Sequence, residues 1–405
     1  MRASWFALPL LLCSCLSPDA VAPATPHAPQ GDTLTSRELA PGVAYRQFTD
    51  VSGPWVMHLV RVDLQRADIE VRHARALDQL RGREKTTEMV RRAKAAGTTV
   101  LAAVNADFFW LTTGENENNQ VIGGEWWKGL QVTDSPYDTR DNAHVQFGID
   151  AARHPMIDRF VLDGRAWAHG VPTTIASVNF NPPGAPQDAA LFTARFGAAT
   201  PRDSARLTVE APMVAAGRRG DTLLYVRRGA SSATSGSSIP ADGAVLAAYG
   251  AGSSASAVRA MPDGDTIKVL LATLPRPGSG AIPNMLIGGW PRILRDGANI
   301  AGESAALEGT IASNTDARHP RTAVGFSRDS STLYLLTVDG RTERSVGMTT
   351  VELAAMLQRL GAWQAMNFDG GGSTTMVVEG LLANVPADAT GERSVGNALF
   401  VVRKP

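Results

Sequence analysis

The run Asn367-Phe368-Asp369-Gly370-Gly371-Gly372-Ser373-Thr374-Thr375-Met376 constrains this chain more than any other stretch, because neither an ordinary core nor an ordinary turn needs three consecutive glycines beside a carboxylate. Apolar residues lie on both sides, Ala362 to Met366 before it and Met376 to Val378 after it, so the stretch reads as strand, glycine turn, strand. A two-residue hairpin turn needs fewer glycines. Three in succession let the backbone take positive φ and turn its N–H groups into one concavity, a nest suited to an anionic oxygen. Ser373 and Thr374 add hydroxyl donors at the rim. Asp369 sets a carboxylate beside that cradle, in place for acid/base work or for orienting a substrate hydroxyl. The competing reading is a bulged hairpin whose aspartate makes an Asx-turn, which suffices for a lone DG or GG. The whole run favours chemistry.

A second segment repeats the design that leads into this turn. Thr86 to Ala96 reads as a helix with Thr87 as its cap and Gly97 as its terminator, followed by the buried strand Val100 to Val104 and then Asn105-Ala106-Asp107. Thr349 to Leu360 reads as another helix, stopped by Gly361 and followed by a strand that ends in Asn367-Phe368-Asp369. Strand side chains alternate, so each Asn-x-Asp is expected to hold its amide and carboxylate on one face. If the two strands are neighbours, Asn105, Asp107, Asn367 and Asp369 converge. Helix–glycine–strand is also a common arrangement in its own right, and coincidence is the other reading.

The run NFDGGGSTTM, together with Arg318-His319-Pro320-Arg321-Thr322-Ala323-Val324-Gly325 and Glu392-Arg393-Ser394-Val395-Gly396-Asn397-Ala398, resembles the phosphodiester glycosidase family. Matching stretches run in family order from about Thr86 to Val402. The resemblance implies a hydrolase acting on a sugar phosphodiester or phosphorylated glycan.

The remaining chain sets the frame. Its 405 residues are 44% hydrophobic, ample for a core, and equal counts of basic and acidic residues, 39 each, supply no global field for nucleic acid. Any anion site must therefore be local. Residues 1–15 combine one positive charge with a short apolar run, the pattern of a secretory signal. Leu12-Cys13-Ser14-Cys15 also resembles a bacterial lipobox with Cys15 as the lipidated residue, which implies export to the cell envelope and a membrane anchor; an ordinary signal peptide cleaved nearby is the alternative. Both cysteines lie in this segment, so disulfides and thiolate metal sites are excluded from the domain.

Residues 16–38, rich in Pro, Ala, Ser and Thr, read as a disordered tether. A phosphodiester glycosidase-like domain is expected over 39–405. It begins with three β-type segments, Val43 to Phe48, Trp55 to Leu64 and Ile69 to Ala74, read as an antiparallel start to one sheet. Trp110 to Tyr137 reads as a long loop over the site, in which Trp126 and Trp127 either stack on a sugar or pack the loop base. Short strand-like runs separated by turn signals place a β-rich insertion at about 144–280. The expected fold class is α+β: a mixed β-sheet core with two helix–strand units and an inserted all-β segment.

The chemistry follows from the bond. A sugar-1-phosphodiester cleaved between the sugar carbon and oxygen releases a phosphomonoester, whose conjugate acid has a pKa of about 6. Such a leaving group needs cations and hydrogen bonds more than a general acid. Arg321 is the first choice of clamp, with Gly370, Gly371, Gly372, Ser373 and Thr374 completing the anion site and Asn105, Asn367 and Arg393 as further substrate contacts. Asp369, Asp107 and Asp339, in that order, are the candidate catalytic carboxylates. Asp339-Gly340 is equally suited to a turn, Arg393 to closing the C-terminal strand, and Arg318 to a surface salt bridge. No cofactor is implied; oxygen ligands near Asp107 holding a divalent cation are the minority reading. The chain lacks a GxSxG elbow, an HExxH helix and a Walker loop, which argues against serine hydrolases, zincins and nucleotide-driven enzymes. A non-catalytic module that binds phosphorylated glycan is the alternative function.

Overall fold

The computed structural model describes residues 31–131, 144–169, 172–180, 189–203, 205–303, 307–308 and 312–405. Cys15 and residues 16–30 of the expected tether lie outside them. Residues 33–38 do not belong to a tether: Thr33–Ala40 is a strand that pairs antiparallel with Val43–Asp50 at the edge of a sheet. Its side chains are mostly exposed, so it carries no apolar pattern and the pairing is made by the backbone.

Two sheets face each other across the main core. The first has eight strands in the order Thr33–Ala40, Val43–Asp50, Trp55–Asp63, Thr332–Val338, Arg321–Phe326, Gln364–Asn367, Arg292–Arg295 and Ala298–Asn299. The second has five: Leu381–Leu382, Met376–Val378, Thr99–Asn105, Asn397–Arg403 and Ile69–Arg75. Alternation decides the packing. In Trp55–Asp63, Val60 and Val62 point into the intersheet core with Val104, Leu399, Met376 and Met366, while Met57 and Leu59 point outward. Ile69–Arg75 joins the second sheet through Asn397–Arg403. It therefore does not continue the antiparallel start made by the two strands before it.

Each sheet carries one helix on its outer face, so the two helix–strand units become the two halves of a four-layer sandwich. The helix Thr86–Ala95 lays Met89 and Val90 against Ala103, Val377 and Phe400 of the five-stranded sheet. The helix Thr350–Leu360 lays Leu353, Ala354, Met356 and Leu357 against Met57, Ala323, Leu336 and Ala365 of the eight-stranded one. Burying each large apolar side chain there contributes roughly 1.5–3 kcal/mol. Thr349 caps its helix in a reciprocal capping box with Glu352, and Gly361 ends it at φ 101. Thr87 is not a cap: the first helix has Lys85 at that position, and the Thr87 hydroxyl donates to Glu392. Gly97, at φ 86, terminates it as expected.

A third sheet of twelve strands holds the β-rich insertion, joined by Gln120–Ile122, Glu125–Leu130 and Met285–Gly288. Its pairing of Thr173–Val178 with Ala189–Thr193 closes a seven-stranded barrel within that sheet, and this is the single parallel ladder among the described pairings. The α+β reading is thus consistent with a mostly β molecule, but the main-core sheets are antiparallel rather than mixed. Trp126 and Trp127 belong to a strand and are 3% and 7% exposed, so neither offers its face to a sugar; the Arg195 guanidinium covers the Trp127 ring at 4.5 Å.

Candidate active site

The glycine run is a passage between sheets, not a hairpin. The chain leaves the eight-stranded sheet at Asn367, makes a short 3-10 turn over Gly371–Ser373 and enters the five-stranded sheet at Met376. The strand ends Asn105 to Asp107 and Asn367 to Asp369 meet at this crossing. The Asp369 N–H donates to the Ala106 carbonyl at 2.7 Å, and the Asn105 side-chain amide donates to the Asp369 carbonyl at 2.7 Å. Asn105 Oδ1 accepts from the Thr322 hydroxyl and the Thr375 N–H. With no exposed surface, Asn105 is a clamp between the sheets rather than a substrate contact. Asn367 is likewise 1% exposed and donates to the Trp290 carbonyl.

Although the two backbones touch, their aspartates have different neighbours. The regular strands stop at Asn105 and Asn367, so alternation no longer fixes the side chains two residues further on. Asp107 is 1% exposed, receives the Asn118 side-chain amide at 2.6 Å and the Asn118 N–H at 3.2 Å, and lies where a Cβ on Gly288 would come within 2.4 Å of it. Burial pushes its carboxyl up to about 7, against the Asn118 hydrogen bonds and the charges of Lys128 and Arg75. Asp369 is half-buried. Desolvation raises it to about 6, with the Asp388 charge adding to the rise; the Ser373 hydroxyl, the Arg393 charge and the Gly370 N–H oppose it.

Three expected roles are corrected here. Arg321 is 2% exposed and its guanidinium donates to the carbonyls of Met348, Asn314 and Ala317 and to the Asn314 side chain. Buried in this way and fastening the Asn314 to Ala317 segment, it is closed off from an arriving phosphate, unlike Arg393, whose side chain is 34% exposed. Asp339 is 4% exposed, accepts the Val385 N–H at 3.1 Å and approaches His58 at 3.5 Å, so its contacts lie within the fold and away from the glycine run. The glycine turn is not an open nest either. The N–H groups of Gly371, Ser373 and Thr374 already donate to Pro320, Gly370 and Gly371 carbonyls. Thr374 is 1% exposed and its hydroxyl has no partner among the described residues.

What the glycines provide is room. A Cβ on Gly370 would come within 2.7 Å of the Pro320 carbonyl, and Gly371, at φ 60, adopts a backbone shape that L-residues avoid. A Cβ on Gly372 would fall 2.1 Å from both Arg393 Nη2 and Asp388 Oδ1. The Arg393–Asp388 pair therefore rests directly on the glycine backbone, with Nε to Oδ2 at 2.8 Å and Nη2 to Oδ1 at 3.0 Å. Arg393 also reaches the Ser373 hydroxyl at 3.3 Å. Asp369, Ser373 and Arg393 consequently form a continuous chain from carboxylate to cation.

That chain ends at a cavity of about 530 Å³ lined by Arg83, Lys85, Asp388, Glu392, Arg393 and Ser394 among others. A short antiparallel pairing of Glu84–Lys85 with Ser394–Val395 brings the residues before the first helix against the C-terminal segment, so that Arg83, Lys85 and Arg393 share one wall. Arg341 adds a further cation: its Nη1 lies 4.0 Å from Asp388, and its Nη2 would be 3.1 Å from a Cβ on Gly371. Of the expected residues, then, Asp369, Gly370, Gly371, Gly372, Ser373 and Arg393 come together, while Asp107, Asp339, Asn105, Asn367, Arg321 and Thr374 hold the surrounding structure. Arg83, Lys85, Arg341 and Asp388 stand in none of the motifs that mark the site in the sequence. Arg318 makes the surface salt bridge expected of it, to Glu352.

Comparison with known proteins agrees with the resemblance drawn from the glycine run. Residues 213–402 match the family model for phosphodiester glycosidase. The mouse N-acetylglucosamine-1-phosphodiester alpha-N-acetylglucosaminidase is 36% identical over 110 residues, 25% of this chain and 21% of that protein. The human protein of the same name is 34% identical over 110 residues. The match thus spans about a fifth of these curated relatives' length. Among solved structures, a hypothetical protein from Synechocystis superposes with a TM-score of 0.71 at 19% identity, covering 93% of this chain and 64% of that one. A putative exported protein from Burkholderia pseudomallei K96243 gives 0.65 at 23% identity, covering 87% and 74%. These two likenesses show a shared fold.

Proposed function

We propose that this chain, a relative of the phosphodiester glycosidases, is a hydrolase that cleaves the sugar carbon–oxygen bond of a glycosyl-1-phosphodiester in an envelope or extracellular glycan. The observation that carries this reading is the chain from Asp369 through Ser373 to Arg393, with the carboxylate at one end and a cation-lined cavity at the other. A carboxyl raised to about 6 is largely ionised at neutral pH yet basic enough to accept a proton, the condition for a general base. In the reaction, Asp369 takes a proton from water as the water oxygen bonds to the anomeric carbon. The carbon–oxygen electron pair leaves with the phosphomonoester, which Arg393 and Arg341, with Lys85 and Arg83 behind them, stabilise.

Attack at carbon asks for a carboxylate on one side and cations on the other, so turnover of a chromogenic sugar phosphodiester is expected to survive EDTA. Hydrolysis in ¹⁸O-labelled water should place the label in the sugar. Label recovered in the phosphate would move the assignment to a phosphodiesterase, and binding without turnover would make the chain a phosphoglycan-binding module. For localisation we propose lipidation at Cys15, motivated by Leu12-Cys13-Ser14-Cys15. A Cys15→Ser protein that still partitions with membranes would contradict it.

A further inference from the structure

We propose that Asp388 is a specificity-determining residue that shifts the site's preference away from a doubly charged phosphomonoester and toward a singly charged phosphodiester. The inference rests on the reading above, in which phosphate lies at Arg393. In this structure both oxygens of Asp388 engage the Arg393 guanidinium, at 2.8 and 3.0 Å, in the bidentate geometry a phosphate uses. The same carboxylate has Arg341 at 4.0 Å on its other side and rests against Gly372. Arg393, Arg341 and Asp388 are all partly open to solvent, with side chains 34%, 46% and 24% exposed, so an arriving anion can reach them.

A phosphate entering this place meets two guanidinium groups and one fixed carboxylate. Repulsion by that carboxylate scales with the charge of the arriving anion, so a dianion experiences twice the penalty of a monoanion. A phosphodiester carries one negative charge at every pH near neutrality. A phosphomonoester carries nearly two above its second pKa of about 6. Asp388 therefore tilts the site toward the substrate and against the product of carbon–oxygen cleavage, which aids product release. Arg393 and Arg341 alone would attract the product more strongly than the substrate. Glycine at 372 is part of the device, because any side chain there would displace the carboxylate.

The test needs no turnover. Calorimetric titration of the purified full chain at pH 8 with dimethyl phosphate, one charge, and methyl phosphate, two charges, reads the preference directly. In the wild-type protein Asp388 should keep the preference for methyl phosphate over dimethyl phosphate small. Asp388→Asn should shift the ratio toward methyl phosphate by about tenfold, whereas Asp388→Glu, which keeps the charge, should retain the wild-type ratio. Both probes binding with the same ratio in wild type and Asp388→Asn would overturn the role of Asp388 and leave the phosphate site standing. If neither probe binds the wild-type protein, the site reading falls and this inference with it. Should Asp388→Asn fail to fold, Asp388→Ser reads the same ratio, and a ratio unchanged from wild type would overturn the proposal.

Discussion

Two segments of this molecule are built alike, helix, glycine, strand and Asn-x-Asp, and sit on opposite sheets with their ends in contact; they deliver their carboxylates to different surroundings. Asp107 is held by Asn118 under Gly288 with almost no exposed surface. Asp369 stays half-buried and faces Ser373 and Arg393, and Arg393 in turn lines a cavity. The difference arises after the tripeptide. Asp107 is followed by Phe108 and Phe109, with Phe109 drawn into the core around the first helix and Phe108 edge-on to Trp290. Asp369 is followed by three residues without side chains, which leave space for the Arg393–Asp388 pair. A repeated local pattern thus fixes where two strands end, and the residues beyond it decide which end can do chemistry.

The largest effect should separate the two carboxylates in turnover. Asp369→Asn is expected to lower kcat/KM on a chromogenic sugar phosphodiester by ~10³-fold, within the usual range for a general base, while Asp107→Asn lowers it by less than about tenfold. Equal losses in the two variants would break the comparison. In the wild type, kcat/KM should rise as pH increases through about 6, the value to which Asp369 is raised, and this limb should be absent in Asp369→Asn.

Asp107 should instead reveal itself in stability. Its folded-state pKa of about 7 stands well above the ordinary aspartate value, so between the two the folded protein holds a proton that the unfolded chain has lost. Its contribution is therefore fully present at acid pH and is lost as pH rises from about 4 through about 7. The loss amounts to at most about 4 kcal/mol, three pKa units at about 1.4 kcal/mol each. Urea unfolding at pH 5 and pH 8 should show a smaller difference in Asp107→Asn than in the wild type. An unchanged difference would mean that Asp107 does not hold a buried proton.

The smallest contrast lies at the helix starts. Thr349→Ala removes half of a capping box and should cost about 1 kcal/mol by chemical denaturation. At the matching position of the other unit, Lys85 makes no side-chain cap, and Lys85→Ala should change stability by less than about 0.5 kcal/mol. If both cost the same, the two helices are held by their packing alone.

Much of this architecture was legible in advance wherever the signal was local. The helix spans, their glycine stops, the strand faces of Trp55–Asp63 and the β-rich insertion all follow from periodicity and turn residues, because those are set by backbone sterics within a few positions. The strand Thr33–Ala40 was not, since six of its eight side chains are exposed and only its partner strand defines it. The site divided in the same way. Sequence alone determined that the run from Asp369 to Ser373 would be the unusual point of the chain, for glycine takes the positive φ at Gly371 most readily and only glycine allows the close approach at Gly372. Tertiary structure decided which cation meets that run. Arg321 is near in sequence pattern, but its donors turn toward backbone carbonyls of the Asn314 to Ala317 segment and of Met348. Arg393 reaches the glycines because the chain's last segment pairs with the residues ahead of the first helix, some three hundred positions earlier. Nothing in local propensity encodes such a pairing; it forms when two sheets close on one core and their strand ends come together.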